Sequence, residues 1–169
     1  MALPLAPFSL RGPWRAPYLI IMASLPPSGL ITGGVHQLAI RVYFEDTDTA
    51  AIMYHAKYLH FLERGRTEFL RTAGIDHGAA VREGLGAYAV TQMDCRWLRP
   101  ARLDDVLLVE TRLVSVRAAA CAIDQAISRD GTPIFTASLT AAFLDPAGRP
   151  RRQPREWIAR YHELTAQES

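Results

Sequence analysis

The sequence predicts an α+β fold, with one long helix packed on a mostly antiparallel sheet of five strands. Three observations carry this. A single strong helical pattern occupies residues 55–73, and one strand-like run precedes it. Four more strand-like runs follow it, with no further long helix between them. The link between the last two runs, Arg129-Asp-Gly-Thr132, has the Asp-Gly signal of a tight hairpin. Strands gathered in this way around one helix point to a layered α+β domain rather than to alternating βαβ units.

Residues 1–36 hold six of the eleven prolines and no acidic residue, so they read as a disordered or loosely attached N-terminal arm. Within it, residues 1–21 are expected to precede the true start, with translation beginning at Met22. From Gln37 the pattern changes, and one domain is expected over residues 37–165. Leu38-Ala-Ile-Arg-Val-Tyr-Phe44 alternates as a strand does. Glu45 to Tyr54 is a polar turn followed by small and apolar residues. His55 to Ala73 is rich in helix formers. Its apolar face is read as Leu59, Leu62, Phe69 and Leu70, widened by Tyr58 and Phe61 and interrupted by Arg66. Gly74 suits a left-handed cap. Gly65 costs about 1 kcal/mol against alanine in mid-helix; a close approach to the sheet would explain it, and so would simple tolerance. A short helical piece, Asp76 to Glu83, leads to the strand-like runs Ala87–Leu98, Val106–Val116, Ala119–Arg129 and Thr132–Leu144. Pro154 to Thr165 reads as a terminal helix with its proline in the first turn.

Composition excludes several classes. The chain is 49% hydrophobic and 21% charged, with a formal net charge of +2. That is ordinary for a globular domain and too small a charge to argue for nucleic acid. No apolar run reaches the ~18 residues of a membrane span. Cys95 and Cys121 match no zinc or redox spacing and read as free thiols of a cytoplasmic protein. A phosphate-loop lysine motif, a Gly-x-Ser-x-Gly elbow and a His-Glu-x-x-His pair are all missing. No cofactor or metal is expected.

The chemistry concentrates in residues 41–71. Three acids, Glu45, Asp46 and Asp48, cluster after the first strand, and His55 stands where the long helix begins. A helix N-terminus offers free N–H groups and the positive end of a dipole. Such groups can hold the oxyanion that forms when a carbonyl is attacked. A nearby carboxylate can act as general base or nucleophile. These are the parts of an acyl-transfer site. A carboxylate before a helix is also an ordinary cap or turn residue, and Asp46, Asp48 and His55 are donor types that suit a metal.

The segment Tyr43-Phe-Glu-Asp-Thr-Asp-Thr-Ala-Ala-Ile-Met-Tyr-His-Ala-Lys-Tyr-Leu59 resembles the 4-hydroxybenzoyl-CoA thioesterase-like hotdog family. Within it, the chain is similar to the Tol-Pal cluster-associated acyl-CoA thioesterases of Gram-negative bacteria. Phe61-Leu-Glu-Arg-Gly-Arg-Thr-Glu-Phe-Leu70 and Arg99-Pro-Ala-Arg-Leu-Asp-Asp105 extend the resemblance, which runs from about Gln37 to about Tyr161. It implies a hotdog fold, a central helix wrapped by a curved antiparallel sheet. It also implies homodimers or homotetramers with active sites between subunits. The implied activity is hydrolysis of acyl-CoA, with Asp48 as the catalytic aspartate, His55 as its partner, and backbone N–H at the helix start polarising the carbonyl. The family usually has a glycine-containing run after the aspartate. Here Thr49-Ala50-Ala51 stands in its place, which bears on the shape of the acyl pocket because glycine permits positive φ.

Other residues are secondary candidates. Tyr54 would line the acyl pocket or pack. Arg149, Arg151 and Arg152, with Arg155, form a basic run that suits CoA phosphates or an acidic acyl carrier protein, or is a solvated linker. Arg96, Arg99 and Arg102 are weaker candidates of the same kind. Glu63 would either serve as a catalytic acid, as in another hotdog branch, or pair with Arg66. The alternative functions are a non-catalytic acyl-CoA sensor and a hotdog dehydratase or hydratase. Finally, Val106–Val116 carries apolar residues at both parities, which suggests a second copy covering the outer face.

Overall fold

The computed structural model describes residues 25–166. Residues 1–21, expected to precede the start, lie outside the described residues. The strands are β1 (Leu30–Thr32), β2 (Val35–Arg41), β3 (Ala87–Trp97), β4 (Val106–Val116), β5 (Ala120–Arg129) and β6 (Thr132–Leu144). The helices are α1 (His55–Thr72), α2 (His77–Arg82) and α3 (Arg155–Ala166), with a one-turn 3-10 helix at Phe44–Asp46. All six strands form one sheet, in the order β1-β2-β4-β5-β6-β3, and every neighbouring pair is antiparallel.

The order explains the long helix. β2 lies near one side of the sheet, yet β3, the next strand in the chain, lies at the opposite edge. α1 makes that crossing over one face of the sheet. Its buried stripe is Tyr58, Phe61, Leu62, Gly65 and Phe69, at the 3–4 residue spacing of a helix packed on one side. Leu59 and Leu70, expected in the stripe, sit at its margins. Beneath the first half of α1, Leu38, Leu107, Val109, Ile127 and Phe135 complete one core cluster. Beneath the second half, Leu113, Ile123, Leu139 and Ala141 join Tyr161 and Leu164 of α3 in another. Fully burying each large side chain contributes about 1.5–3 kcal/mol.

Three expectations are corrected. The sheet has six strands, not five, because the segment assigned to an arm contains β1 and the start of β2. Thr32 pairs with Val35, and Gly33 and Gly34 both have positive φ, 54° and 76°. This is the two-residue hairpin that a Gly-Gly pair favours, and the prolines upstream obscured it. The first strand ends at Arg41 rather than Phe44, since Phe44 opens the 3-10 turn. The two-sided apolar pattern of Val106–Val116 arises partly from a bulge. The register shifts between Leu113 and Ser115, leaving Val114 exposed and returning Val116 to the helix side. The remaining boundaries fall within two residues of expectation, and the Asp130-Gly131 turn has both residues at positive φ.

α1 ends on two bonds, Gly74 N–H to the Arg71 carbonyl (3.0 Å) and Ile75 N–H to the Leu70 carbonyl (2.9 Å), with Gly74 at φ 80°. Gly65 is where the helix comes nearest to the sheet. A Cβ there would stand 2.8 Å from Val109 Cγ1 and 3.1 Å from Thr111 Oγ1. Fully buried Gln125 fills the polar gap beside it. Its Nε2 donates to the Leu62 carbonyl (3.0 Å) and to Thr111 Oγ1 (2.8 Å), and its Oε1 accepts from Arg66 Nη1 (2.7 Å). Gly65→Ala should therefore destabilise the protein by about 1–3 kcal/mol through overpacking, against the ~1 kcal/mol that helix propensity alone would return. Urea midpoints of the two proteins check this; a more stable alanine variant contradicts it.

His36 is fully buried on β2. Its Nε2–H donates to the Ser28 carbonyl (2.9 Å), while Nδ1 has no partner. Burial holds its pKa below the ordinary 6.5, against smaller upward pulls from the Ser28 bond and Glu68. The folded state thus takes up this proton later than the unfolded chain does. Stability is full above about pH 6.5 and falls as pH drops below it. His77 is lowered in the same sense, whereas burial raises the Glu110 carboxyl and gives a contribution of opposite sign. His36→Gln should therefore flatten the stability profile between about pH 5 and pH 7 relative to the parent. Parallel thermal melts would show it, and unchanged slopes would refute it.

Candidate active site

Residues 42–54 carry the chain from β2 to α1, and Asp46 fastens them. Its carboxylate is almost fully buried; Oδ2 accepts the Tyr43 N–H (2.9 Å) and Oδ1 lies 3.1 Å from Lys57 Nζ in the first turns of α1. Its backbone carbonyl accepts the Tyr54 N–H (2.8 Å). One side chain therefore ties the 3-10 turn to the helix start. A charge that deep persists because it is both paired and hydrogen-bonded.

The five residues from Asp48 to Ile52 form a closed loop above this anchor. Thr47 and Met53 pair across its base. Asp48 N–H donates to the Ile52 carbonyl and Ala51 N–H to the Asp48 carbonyl, each at 2.9 Å. Asp48 Oδ1 accepts the Ala50 N–H at 2.8 Å, fixing the carboxylate while Oδ2 stays open on the exposed surface. Ala51 adopts φ 57°. The chain thus takes the left-handed conformation that a glycine would favour, and does so with an alanine.

A second loop holds the first in place. Buried Met53 donates its N–H to the Ala101 carbonyl (2.8 Å), and Ala101 N–H donates to the Tyr58 hydroxyl (3.0 Å). Asp105 accepts the Arg102 N–H (2.8 Å) and Arg129 Nη1 (2.5 Å). The Pro-Ala-Arg-Leu-Asp-Asp stretch is therefore the buttress of the Asp48 loop.

α1 begins without a side-chain cap, Tyr54 occupying that position. Lys57 N–H turns back to the Tyr54 carbonyl (2.8 Å), and His55 and Ala56 N–H have no intrahelical acceptor. His55 and Tyr54 are exposed. The His55 ring packs on Tyr54 (centroids 4.4 Å) and against the edge of Trp97 (6.4 Å), and Trp97 Nε1 donates to the His55 carbonyl (3.3 Å). Sequence reading missed Trp97, whose only signal was an aromatic residue at the end of a strand. Among the described residues no hydrogen bond or ion pair joins Asp48 to His55, although both stand at the same end of α1.

Of the other candidates, Arg102 reaches the Asp48 loop, its Nη1 donating to the Ala51 carbonyl (3.5 Å), and the rest lie elsewhere. Glu63 pairs with Arg66, and Arg66 in turn serves Gln125. Arg99 bonds the Pro133 carbonyl (3.1 Å), and Arg96 stands 3.9 Å from Asp94. The expected substrate-binding arginines are not beside Asp48 within one chain. Arg149 pairs with Asp145 (2.9 Å), Arg151 bonds the Leu85 carbonyl (2.7 Å) and Arg152 is exposed. These residues stand where Leu144 pairs with Ala87, whereas Trp97 pairs with Phe135 at the other end of β6. Phe135 to Leu144 is about 30 Å of extended strand. A small cavity of about 110 Å³, lined by Phe69, Leu70, Tyr88, Leu113, Ile123 and Tyr161 among others, also lies away from the Asp48 loop. Cys121 borders it as a free thiol pushed up by burial to about 11, so it is no nucleophile at neutral pH.

Residues 42–161, which span this loop, α1 and the whole of the sheet from β3 onward, match the family model described as the thioesterase-like superfamily. The chain belongs to that superfamily. It is 36% identical over 126 residues to the acyl-CoA thioesterase YbgC of Haemophilus influenzae, covering 74% of this chain and 93% of that protein. It is 30% identical over 124 residues to the chloroplastic acyl-acyl carrier protein thioesterase ATL2 of Arabidopsis thaliana, covering 72% of this chain and 65% of that protein. The crystal structure of a probable thioesterase from Bartonella henselae superposes with a TM-score of 0.68 at 35% identity, over 71% of this chain and 99% of that one. The superfamily architecture is the hotdog fold, and the α+β reading of the sequence agrees with it.

Asp46 and Asp48 are two residues apart and differ in what they hold. Asp46→Ala should cost about 3 kcal/mol, the scale of stripping one partner from a buried ion pair. Asp48→Asn keeps the Ala50 bond and should change stability by less than about 0.5 kcal/mol. Chemical denaturation of both variants separates the two roles, and equal losses would contradict the assignment.

Proposed function

We propose that this protein hydrolyses acyl-CoA thioesters to the free acid and CoA. The observation that carries the reading is an exposed carboxylate, Asp48, held in a closed loop at the same end of α1 as its uncapped N-terminus. Asp48 acts either as general base or as nucleophile. As base it takes a proton from water while the oxygen attacks the thioester carbon. The resulting oxyanion is held by N–H groups at the start of α1, around His55, where the helix dipole also favours negative charge. The C–S bond then breaks, the carbonyl re-forms, and CoA leaves as a thiol on receiving the proton. His55 partners Asp48 in this scheme, and Tyr54 lines the substrate path beside it. CoA as the donor is supported by the relative named an acyl-CoA thioesterase at 36% identity. Acyl carrier protein is the alternative donor, as in the plant relative's name.

A homodimer or homotetramer is part of the proposal. β3 is an edge strand of 11 residues, paired on one side by β6, with Val90, Trp97 and Leu98 exposed along it. Among the described residues the outer side of this strand is unpaired, and a long open edge favours pairing with another chain. Cytoplasmic residence, expected from the two thiols, belongs to the proposal as well. No described helix is long and apolar enough to cross a membrane.

A panel of acyl-CoAs of varied chain length, read by free-thiol release, should give turnover with at least one member and no change in enoyl absorbance. Asp48→Asn should lower that turnover about 10²–10⁴-fold while the protein stays folded. A folded amide variant with near-normal turnover sinks the assignment of Asp48. Loss or gain of the enoyl chromophore without thiol release would point to a dehydratase instead.

A further inference from the structure

We propose that Tyr58 is the positioning residue that holds Asp48 and His55 in one geometry, its hydroxyl carrying the Asp48 loop and its ring carrying the helix start. The inference rests on the thioesterase reading above and deepens it. Among the described residues no hydrogen bond or ion pair joins Asp48 to His55, so their separation is set by what stands beneath them. A thioester carbonyl has to meet both at once, and a displacement of about 1 Å can cost about 10²-fold in rate. Asp46 fastens the incoming leg of the loop to Tyr54 and Lys57. The outgoing leg, at Met53, needs a second support.

That support runs through one hydroxyl. Tyr58 lies one turn after His55 on the buried face of α1 and is 2% exposed. Its oxygen accepts the N–H of fully buried Ala101 (3.0 Å), and the Ala101 carbonyl accepts the N–H of Met53 (2.8 Å). The loop that carries Ala101 is braced from the sheet. Arg129 Nη1 donates to the Pro100 carbonyl (3.3 Å) and to Asp105 Oδ2 (2.5 Å), which also accepts the Arg102 N–H (2.8 Å). With that loop fixed to β5, the Tyr58 hydroxyl decides where it meets α1. Burial raises the hydroxyl above the ordinary tyrosine value, so it remains a neutral acceptor throughout the neutral pH range.

The ring reaches the other half of the site. Tyr58 stacks on fully buried Phe135, with centroids 5.2 Å apart and planes 30° from parallel. Phe135 is the cross-strand partner of Trp97 and meets its indole edge to face at 5.1 Å. Trp97 in turn packs on the His55 ring and donates Nε1–H to the His55 carbonyl. Stacked and edge-to-face rings attract in preferred orientations, so this chain of rings transmits position from Tyr58 to the helix start. One buried side chain thus touches both lines of support without touching the reacting atoms. Its hydroxyl serves the Asp48 loop, its ring serves His55, and the two can be removed separately.

Tyr58→Phe tests the first role, since it keeps the ring and leaves the Ala101 N–H without its acceptor. Its kcat with acyl-CoA should fall about tenfold while KM stays within about twofold, because no group that touches substrate is altered. In an Asp48→Asn background the same change should alter the residual turnover by less than about twofold, because a misplaced amide has nothing further to lose. Hydrogen exchange is read beside the kinetics. The amides of Asp48, Ala51 and Met53 should lose about tenfold in protection, with those of β5 and β6 unchanged. Wild-type kcat in Tyr58→Phe, or an equal loss in both backgrounds, overturns the proposal. So does protection lost evenly across the sheet, which would make the hydroxyl a support of the whole fold. Phe135→Leu tests the second role. It keeps the hydroxyl bond, removes the ring beneath Trp97, and should lower kcat at least about threefold in both backgrounds, because it acts through His55. Wild-type turnover in that variant overturns the role of the ring. A failure of the thioesterase reading would look different, as full activity in Asp48→Asn alone, and hydrogen exchange then decides the Tyr58 assignment independently.

Discussion

The closeness of α1 to β4 and β5 is the constraint on which the rest of the molecule depends. At Gly65 the helix lies so near that a single methyl group would meet Val109 and Thr111. Gln125 spans the gap and bonds both the helix backbone and β4. Packing at this distance fixes the position of the helix along its axis as well as its height above the sheet. That in turn fixes where the first turn of α1 emerges, because a helix transmits position rigidly at 1.5 Å per residue. The site at His55 is located by a glycine ten residues away.

From that fixed point the candidate site is assembled by anchors. Asp46 binds the turn to Lys57, and Met53 and Ala101 bind the loop to its neighbour. Trp97 brings the edge strand to the helix start. An exposed carboxylate such as Asp48 is held in one orientation only because buried groups on both sides define its backbone. A binding or catalytic group gains most when its supports are rigid before substrate arrives.

Much of the fold was legible in the sequence, for physical reasons that particular elements show. The period of α1, the Asp-Gly turn between β5 and β6, and the lengths of β3 to β6 are local signals, and local energetics decided them. β1 was lost because proline density upstream outweighed a Gly-Gly hairpin signal that proved decisive. The parity of Val116 was misread because a bulge shifts every later side chain to the other face, and alternation alone does not reveal it. In the candidate site, Asp48, His55 and Tyr54 could be proposed from the sequence because the motif that holds them is contiguous, and the structure sets all three at the same end of α1. Trp97 was missed because its contact with His55 exists only once β3 has reached the far edge of the sheet. The arginine run was noticed, but its distance from Asp48 is a property of sheet order, which no short motif encodes.

The backbone at Ala51 has a consequence for when the site comes into being. An alanine in the left-handed region costs about 1–2 kcal/mol, so residues 48–52 do not close by their own preference. Closure has to be imposed by the Met53–Ala101 bond and by Tyr58 beneath it, and Ala101 belongs to a segment more than forty residues downstream. An excised peptide carrying the whole Asp-Thr-Asp to Tyr-His motif would therefore not reproduce the loop. On the growing chain the motif is made early, but it acquires its shape only after β3 and β4 have been synthesised and docked. The loop thus takes its shape together with the completed sheet, and no partly folded fragment presents Asp48 in this geometry.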